Sequence, residues 1–114
     1  MNLLKALFAG GNAMTSDEAK DRIDNKDGLY ILDVRQPNEF QAGHIKGAKL
    51  IPLNDLVNRM NELPQDKDIL CVCRSGSRSG SATRQLSHAG FNAFNLRGGM
   101  MGWQRAGYPV KKGK

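Results

Sequence analysis

At 114 residues the chain has the size of one ordinary domain, with room for a single modest core and little for a second. The 39% hydrophobic share is that of a soluble globular protein, and no apolar run reaches the roughly 18 residues that a membrane-crossing helix needs. The net charge of +6 is unevenly placed: residues 1–73 hold all eleven acidic side chains beside nine Lys and Arg, whereas from Arg74 onward there are eight Lys and Arg and no acid. A basic half of this kind can bind nucleic acid. With so few aromatics to stack bases, a small anionic partner explains it at least as well, and no nucleic-acid partner is expected.

Residues 1–13 read as an appendage, and the domain proper is expected over 14–114. Leu3, Leu4, Leu7 and Phe8 fit one face of a two-turn helix that Gly10 and Gly11 would end. Such a segment is too short for a signal peptide's apolar region and too short for stable membrane insertion. Thr15 and Glu18 form a capping box, which predicts a helix from about Ser16 to Asn25. Leu29 to Val34 is a continuous apolar run closed by charge, as a buried parallel strand reads. Pro37 can open a short helix to Ala42, and Ala48 to Ile51 reads as a short strand. Leu53, Leu56, Val57, Met60 and Leu63 stand at helical spacing before Pro64, which predicts one helix over 53–63. Asp68 to Cys73 is a second buried strand. A helix should follow from about Ser79 to Ala89, with Ala82, Leu86 and Ala89 facing inward and Gly90 as its stop. Asn92 to Leu96 gives a last strand. Gly98 and Gly99 then turn the chain into a final short helix carrying Met100, Met101 and Trp103. Strands alternating with helices predict an α/β/α sandwich around a mostly parallel sheet of about five strands.

The two cysteines, Cys71 and Cys73, are separated by one residue, a poor spacing for a disulfide on a strand, and too few ligands stand nearby for a usual zinc site. Free thiols fit a reducing compartment, so a cytoplasmic location is expected. Cys73 ends a buried strand and opens the loop Arg74-Ser75-Gly76-Ser77-Arg78, which feeds a helix N-terminus. In a parallel α/β sheet, that is where the ligand crevice lies. The loop can turn its N–H groups inward as an anion-binding nest, the helix adds its free N–H groups and dipole, and Arg74 and Arg78 add positive charge. All of these favour the thiolate of Cys73. The bland alternative is an inert buried cysteine before an ordinary turn.

Cys73-Arg74-Ser75-Gly76-Ser77-Arg78 resembles the active-site loop of rhodanese domains. In that family the cysteine is the nucleophile and the five residues after it build the cradle. Leu32-Asp33-Val34-Arg35 with Glu39-Phe40 and Gly43-His44-Ile45 is similar to the family's first signature, and Gly98-Gly99-Met100-Met101-Gly102-Trp103 to its closing one. The resemblance spans about residues 14–109. Arg after Cys and Arg at the sixth place resemble the thiosulfate-using branch, while the mercaptopyruvate branch typically has Gly after Cys. The resemblance implies a sulfurtransferase that carries sulfane sulfur as a Cys73 persulfide, from thiosulfate or another donor to cyanide or a thiol, with no metal and no organic cofactor. Phosphatases on a related fold have a loop one residue longer. Rhodanese-like binding modules often lack the cysteine.

Asp33 and Arg35 stand near the expected crevice. They either tune the loop's charge or form a structural ion pair, Arg35 with Glu39. His44 is expected to hold its turn rather than act as a base, because sulfite leaves as an anion and needs no proton. Arg97, Gly98 and Gly99 could bring charge and close backbone to the crevice edge. Trp103 is expected in the core and Cys71 buried one strand repeat below Cys73.

Overall fold

The computed structural model describes residues 12–114. The helix expected around Leu3–Phe8 lies outside them. Five strands, all parallel, form one sheet in the order β1-β5-β4-β2-β3. In chain order the elements are β1 (Ala13–Met14), α1 (Ser16–Asp24), β2 (Tyr30–Asp33), α2 (Pro37–Ala42) and β3 (Lys49–Leu50). There follow α3 (Leu56–Arg59), β4 (Asp68–Val72), α4 (Ser77–His88), β5 (Asn92–Leu96) and α5 (Gly99–Arg105). No helix among the described residues is long and apolar enough to cross a membrane.

Side-chain alternation along the strands divides the core in two. Ile69, Cys71 and Cys73, with Leu32 and Val34, face Ala82 and Leu86 of α4 and Leu56 of α3. Leu70 and Val72, with Ile31, face Ala19 of α1 and Met100 and Trp103 of α5. Trp103 is 1% exposed and its indole N–H donates to Pro109 O at 2.9 Å, so it is core, as its spacing suggested. The capping box forms as read: Thr15 Oγ1 accepts from Glu18 N at 3.1 Å, and Glu18 Oε1 accepts from Thr15 N at 2.9 Å.

The chain moves outward from β2 to β3 and the opposite way from β4 to β5. The adjacent carboxyl ends of β2 and β4 are therefore the topological switch point, where an α/β sheet opens a crevice. Cys73 follows β4 and Asp33 ends β2, so the topology brings together two regions well separated in the chain.

Strand β1 straddles the boundary placed at residue 14, since Ala13 pairs with Asn95 and Asn12 O accepts from Asn95 N at 2.9 Å. Two helices depart from their expected form. The helix over 53–63 is broken into a 3₁₀ turn (Leu53–Asp55), the single turn α3 and a second 3₁₀ turn (Met60–Glu62). Asn54, Asp55, Asn58 and Asn61 are poor helix formers, and burying Leu56 and Leu63 leaves Val57 at 68% exposed. In α4, Ala89 is exposed beyond the helix end, and the buried face is built instead from Ser79, Gly80, Ala82, Thr83 and Leu86.

Candidate active site

Cys73 sits at the end of β4 under a short loop. Helix α4 begins at Ser77, two residues earlier than the sequence suggests, so Arg78 lies in its first turn. Gly76 is the N-cap, with φ +109°, a left-handed conformation that a side chain would strain. That turn aims the Gly76 N–H at Cys73 Sγ, 3.1 Å away. Ser79 Oγ, fully buried in the first turn of the helix, stands 3.2 Å from the same sulfur.

These donors decide the protonation of Cys73. Burial pushes its thiol up, but the Ser79 hydroxyl and the N–H groups of Ser79, Gly76 and Ser75 together outweigh it. The net pKa lies below the ordinary thiol value. Cys71, on the same face one strand repeat deeper, has no such help: burial pushes it up to about 12. Cys73 is 1% exposed and Cys71 not at all, so both are shielded, but only Cys73 lies directly beneath the loop.

The two loop arginines do less than their charge suggests. Arg78 is bound by Glu39 of α2, with Nη1 to Oε1 at 2.7 Å and Nη2 to Oε2 at 2.9 Å. Its field still reaches Cys73 and Asp33. Arg74, Ser75 and Ser77 are exposed on the loop. Hydroxyl and amide dipoles, rather than guanidinium contact, therefore surround the sulfur.

Arg35 does not pair with Glu39. Its Nε and Nη2 reach Asp33 Oδ1 at 2.9 Å and Oδ2 at 2.8 Å, and Nη2 also donates to Gly43 O at 2.8 Å. Glu39 is instead drawn across the crevice to Arg78, because the carboxylate of α2 faces the start of α4 rather than the end of β2. A cleft of about 380 Å³ opens beside the loop between Arg35, Glu39, Arg74, Met101 and Gln104. His44 is buried, stacks on Phe40 with ring centroids 3.6 Å apart, and donates from Nδ1 to Phe40 O at 2.7 Å. It holds its turn. Among the described residues, no cluster of His, Cys, Asp or Glu is arranged to hold a metal ion.

The segment Arg97–Gly99 brings close backbone to the site: the turn at Gly98 and Gly99 packs directly on the loop, and Arg97 is exposed. Gly99 has φ +58°, and a Cβ there would fall 2.4 Å from Arg74 O and 2.6 Å from Cys73 O. Met100 N donates to Cys73 O at 2.8 Å and Met101 N to Arg74 O at 3.0 Å, so this turn fixes the backbone that carries the cysteine. Gly99→Ala is expected to cost about 2–3 kcal/mol through left-handed strain and overpacking, and to slow alkylation of Cys73 with it. Urea melts and iodoacetamide labelling of the same preparation check both.

Residues 15–106 match the family described as the rhodanese-like domain. The chain belongs to that family. A sulfurtransferase of Allochromatium vinosum is 35% identical over 100 residues, covering 87% of this chain and 94% of that protein. The crystal structure of a rhodanese-related protein from Thermoplasma volcanium superposes with a TM-score of 0.83 at 31% identity, covering 88% of this chain and 97% of the other. A thiosulfate sulfurtransferase from Pseudomonas aeruginosa gives a TM-score of 0.86 at 29% identity, over 98% of this chain but 22% of that one. The five-stranded parallel sheet is thus the rhodanese-like fold, and the relatives support a role in sulfur transfer.

Two polar side chains of this rhodanese-like site escaped the sequence reading. Ser79 lies just past the loop motif, and Asn95 comes from β5. Asn95 Nδ2 donates to Gly76 O at 3.0 Å, and Asn95 Oδ1 accepts from Ser79 Oγ at 2.6 Å. The one signal in the sequence was Ser79 on the apolar stripe of α4, where a polar residue needs a partner.

The Arg78 guanidinium holds the Glu39 carboxyl down, from an ordinary 4.5 to about 2. A carboxylate with a depressed pKa adds stability above its ordinary pKa and loses it as pH falls through the depressed one. The urea midpoint is therefore expected to fall between pH 4.5 and about 2 more steeply in the native chain than in Glu39→Gln. Parallel slopes for the two proteins would contradict this.

Proposed function

We propose that this chain moves sulfane sulfur from thiosulfate, or another anionic sulfane donor, through a Cys73 persulfide to a thiol or to cyanide. The observation that carries the reading is the convergence of the Gly76 N–H and the Ser79 hydroxyl on Cys73 Sγ, at 3.1 and 3.2 Å.

In the first step the Cys73 thiolate attacks the outer sulfur of thiosulfate. A new S–S bond forms, the S–S bond of thiosulfate breaks, and sulfite departs with the electron pair. No proton moves, which is consistent with a His44 committed to its turn. The persulfide then carries its charge on the outer sulfur, within reach of the loop N–H groups. In the second step an acceptor thiolate or cyanide attacks that outer sulfur, and Cys73 leaves as a thiolate. Covalent transfer of this kind gives ping-pong kinetics. Arg74, exposed on the cleft, supplies positive charge on the donor's path, with Arg35 in the wall behind it. The cradle Arg74-Ser75-Gly76-Ser77-Arg78 contributes mainly through backbone, and Asp33 and Arg35 through support. This chemistry calls for no metal or organic cofactor, and a reducing cytoplasm would keep the thiol available.

Intact mass after incubation with thiosulfate tests the reading. One added sulfur atom, located at Cys73 rather than Cys71 by fragmentation of the peptide that holds both and removed by cyanide, is the expected result. No uptake, or uptake at Cys71, would overturn it.

A further inference from the structure

The Ser79 hydroxyl has one proton and two acceptors. Its oxygen lies 3.2 Å from Cys73 Sγ and 2.6 Å from Asn95 Oδ1. The orientation of the Asn95 amide is fixed, because its Nδ2 donates to Gly76 O at 3.0 Å, which leaves Oδ1 toward Ser79. Its backbone is fixed as well, by the β5 register with Cys71 and by Asn95 N donating to Asn12 O at 2.9 Å.

We propose that Asn95 is a positioning residue for sulfur transfer, accepting the Ser79 hydroxyl proton while Cys73 Sγ is uncharged and yielding it to Sγ when the sulfur is a thiolate. The proposal rests on the persulfide reading above and goes beyond it. In the resting thiolate, the hydroxyl donates to Sγ. Once the persulfide forms, the charge moves to the outer sulfur, Sγ becomes a poor acceptor, and the hydroxyl turns to Oδ1. When the acceptor takes the outer sulfur, charge returns to Sγ and the hydroxyl turns back. No bond to hydrogen breaks in this exchange; only the O–H rotates. Competition from Asn95 also keeps the thiolate from being overstabilised, which preserves nucleophilicity, since that falls as thiol pKa falls.

The experiment measures the apparent pKa of Cys73 from the pH dependence of iodoacetamide alkylation, in the full chain with no sulfur donor present. Asn95→Leu is compared in the native and Ser79→Ala backgrounds, with Asn95→Ala carried in parallel should the leucine variant fold poorly. In the Ser79→Ala background the substitution reports only the lost hold on Gly76 O. The difference between backgrounds is the share that passes through the hydroxyl. The other titratable and charged groups that bear on the sulfur are Cys71 on the same strand and Arg78, which also faces Glu39 and Asp33, and none of them is substituted in any variant. Relative to its effect without Ser79, Asn95→Leu is expected to raise the acid dissociation constant of Cys73 about fivefold when Ser79 is present, the worth of one hydrogen bond. The same effect in both backgrounds, or a difference of opposite sign, overturns the proposal. An ordinary thiol pKa in the native chain would instead overturn the persulfide reading, so the two failures are distinct.

Discussion

Cys73→Ala is expected to abolish sulfur transfer, while Cys71→Ala keeps most of it. The two thiols share a strand face and lie two residues apart, so composition and general burial do not separate them. Their surroundings do. Cys73 receives the Gly76 N–H and the Ser79 hydroxyl at the mouth of the sheet, and its pKa is drawn below the ordinary value. Cys71 is fully buried, its pKa is pushed up to about 12, and its strand neighbours are Leu32 and Asn95. A thiol of that kind is protonated at neutral pH and inert. Removing its sulfur leaves a small void costing on the order of 1 kcal/mol, which should lower the melting midpoint without touching the chemistry. Cyanide-dependent turnover of thiosulfate in the two variants checks this. Equal losses would contradict the assignment of the nucleophile.

The largest expected loss of stability comes from Asp33→Ala. Asp33 is fully buried and Arg35 is 5% exposed. The carboxylate accepts the Arg35 backbone N–H at 3.1 Å as well as the guanidinium, and the guanidinium ties this turn to Gly43 O at 2.8 Å. Removing the carboxylate leaves a buried positive charge with a single carbonyl partner, which typically costs about 3–5 kcal/mol. That is a large part of the roughly 5–15 kcal/mol that folds a domain of this size. The double variant Asp33→Leu with Arg35→Met removes both charges and is expected to recover much of the loss. Urea denaturation of both settles the point: a single variant within about 1 kcal/mol of the native chain would show that the pair is not needed for folding.

Where the fold was legible in the sequence, the signal was local. The apolar run into Cys73, the small residues after it and the amphipathic stripe of α4 announced a strand, a tight turn and a helix. Thr15 and Glu18 marked the start of α1. What escaped depended on partners distant in the chain. Arg35 and Glu39 are four residues apart and of opposite sign, yet each is claimed elsewhere, by Asp33 and by Arg78, because the crevice brings α4 against α2. Strand β1 is two residues long and exists only by pairing with β5. The broken segment after Leu53 shows tertiary burial of Leu56 and Leu63 overriding an apolar spacing that looked continuous. Asn95 reads as a polar residue in an ordinary strand until the register of β5 beside β4 sets it level with Cys71. Ser79 likewise shows its purpose only when the first turn of α4 is seen to lie over the sulfur.

The proposed sulfur transfer at Cys73 requires that neutral donors keep it ionised, and ultraviolet titration of the thiolate measures that most directly. The native chain should show one thiol ionising below the ordinary range, lost in Cys73→Ala and retained in Cys71→Ala. A titration in which Cys73 stays protonated through neutrality, at or above the value of a free thiol, would contradict it.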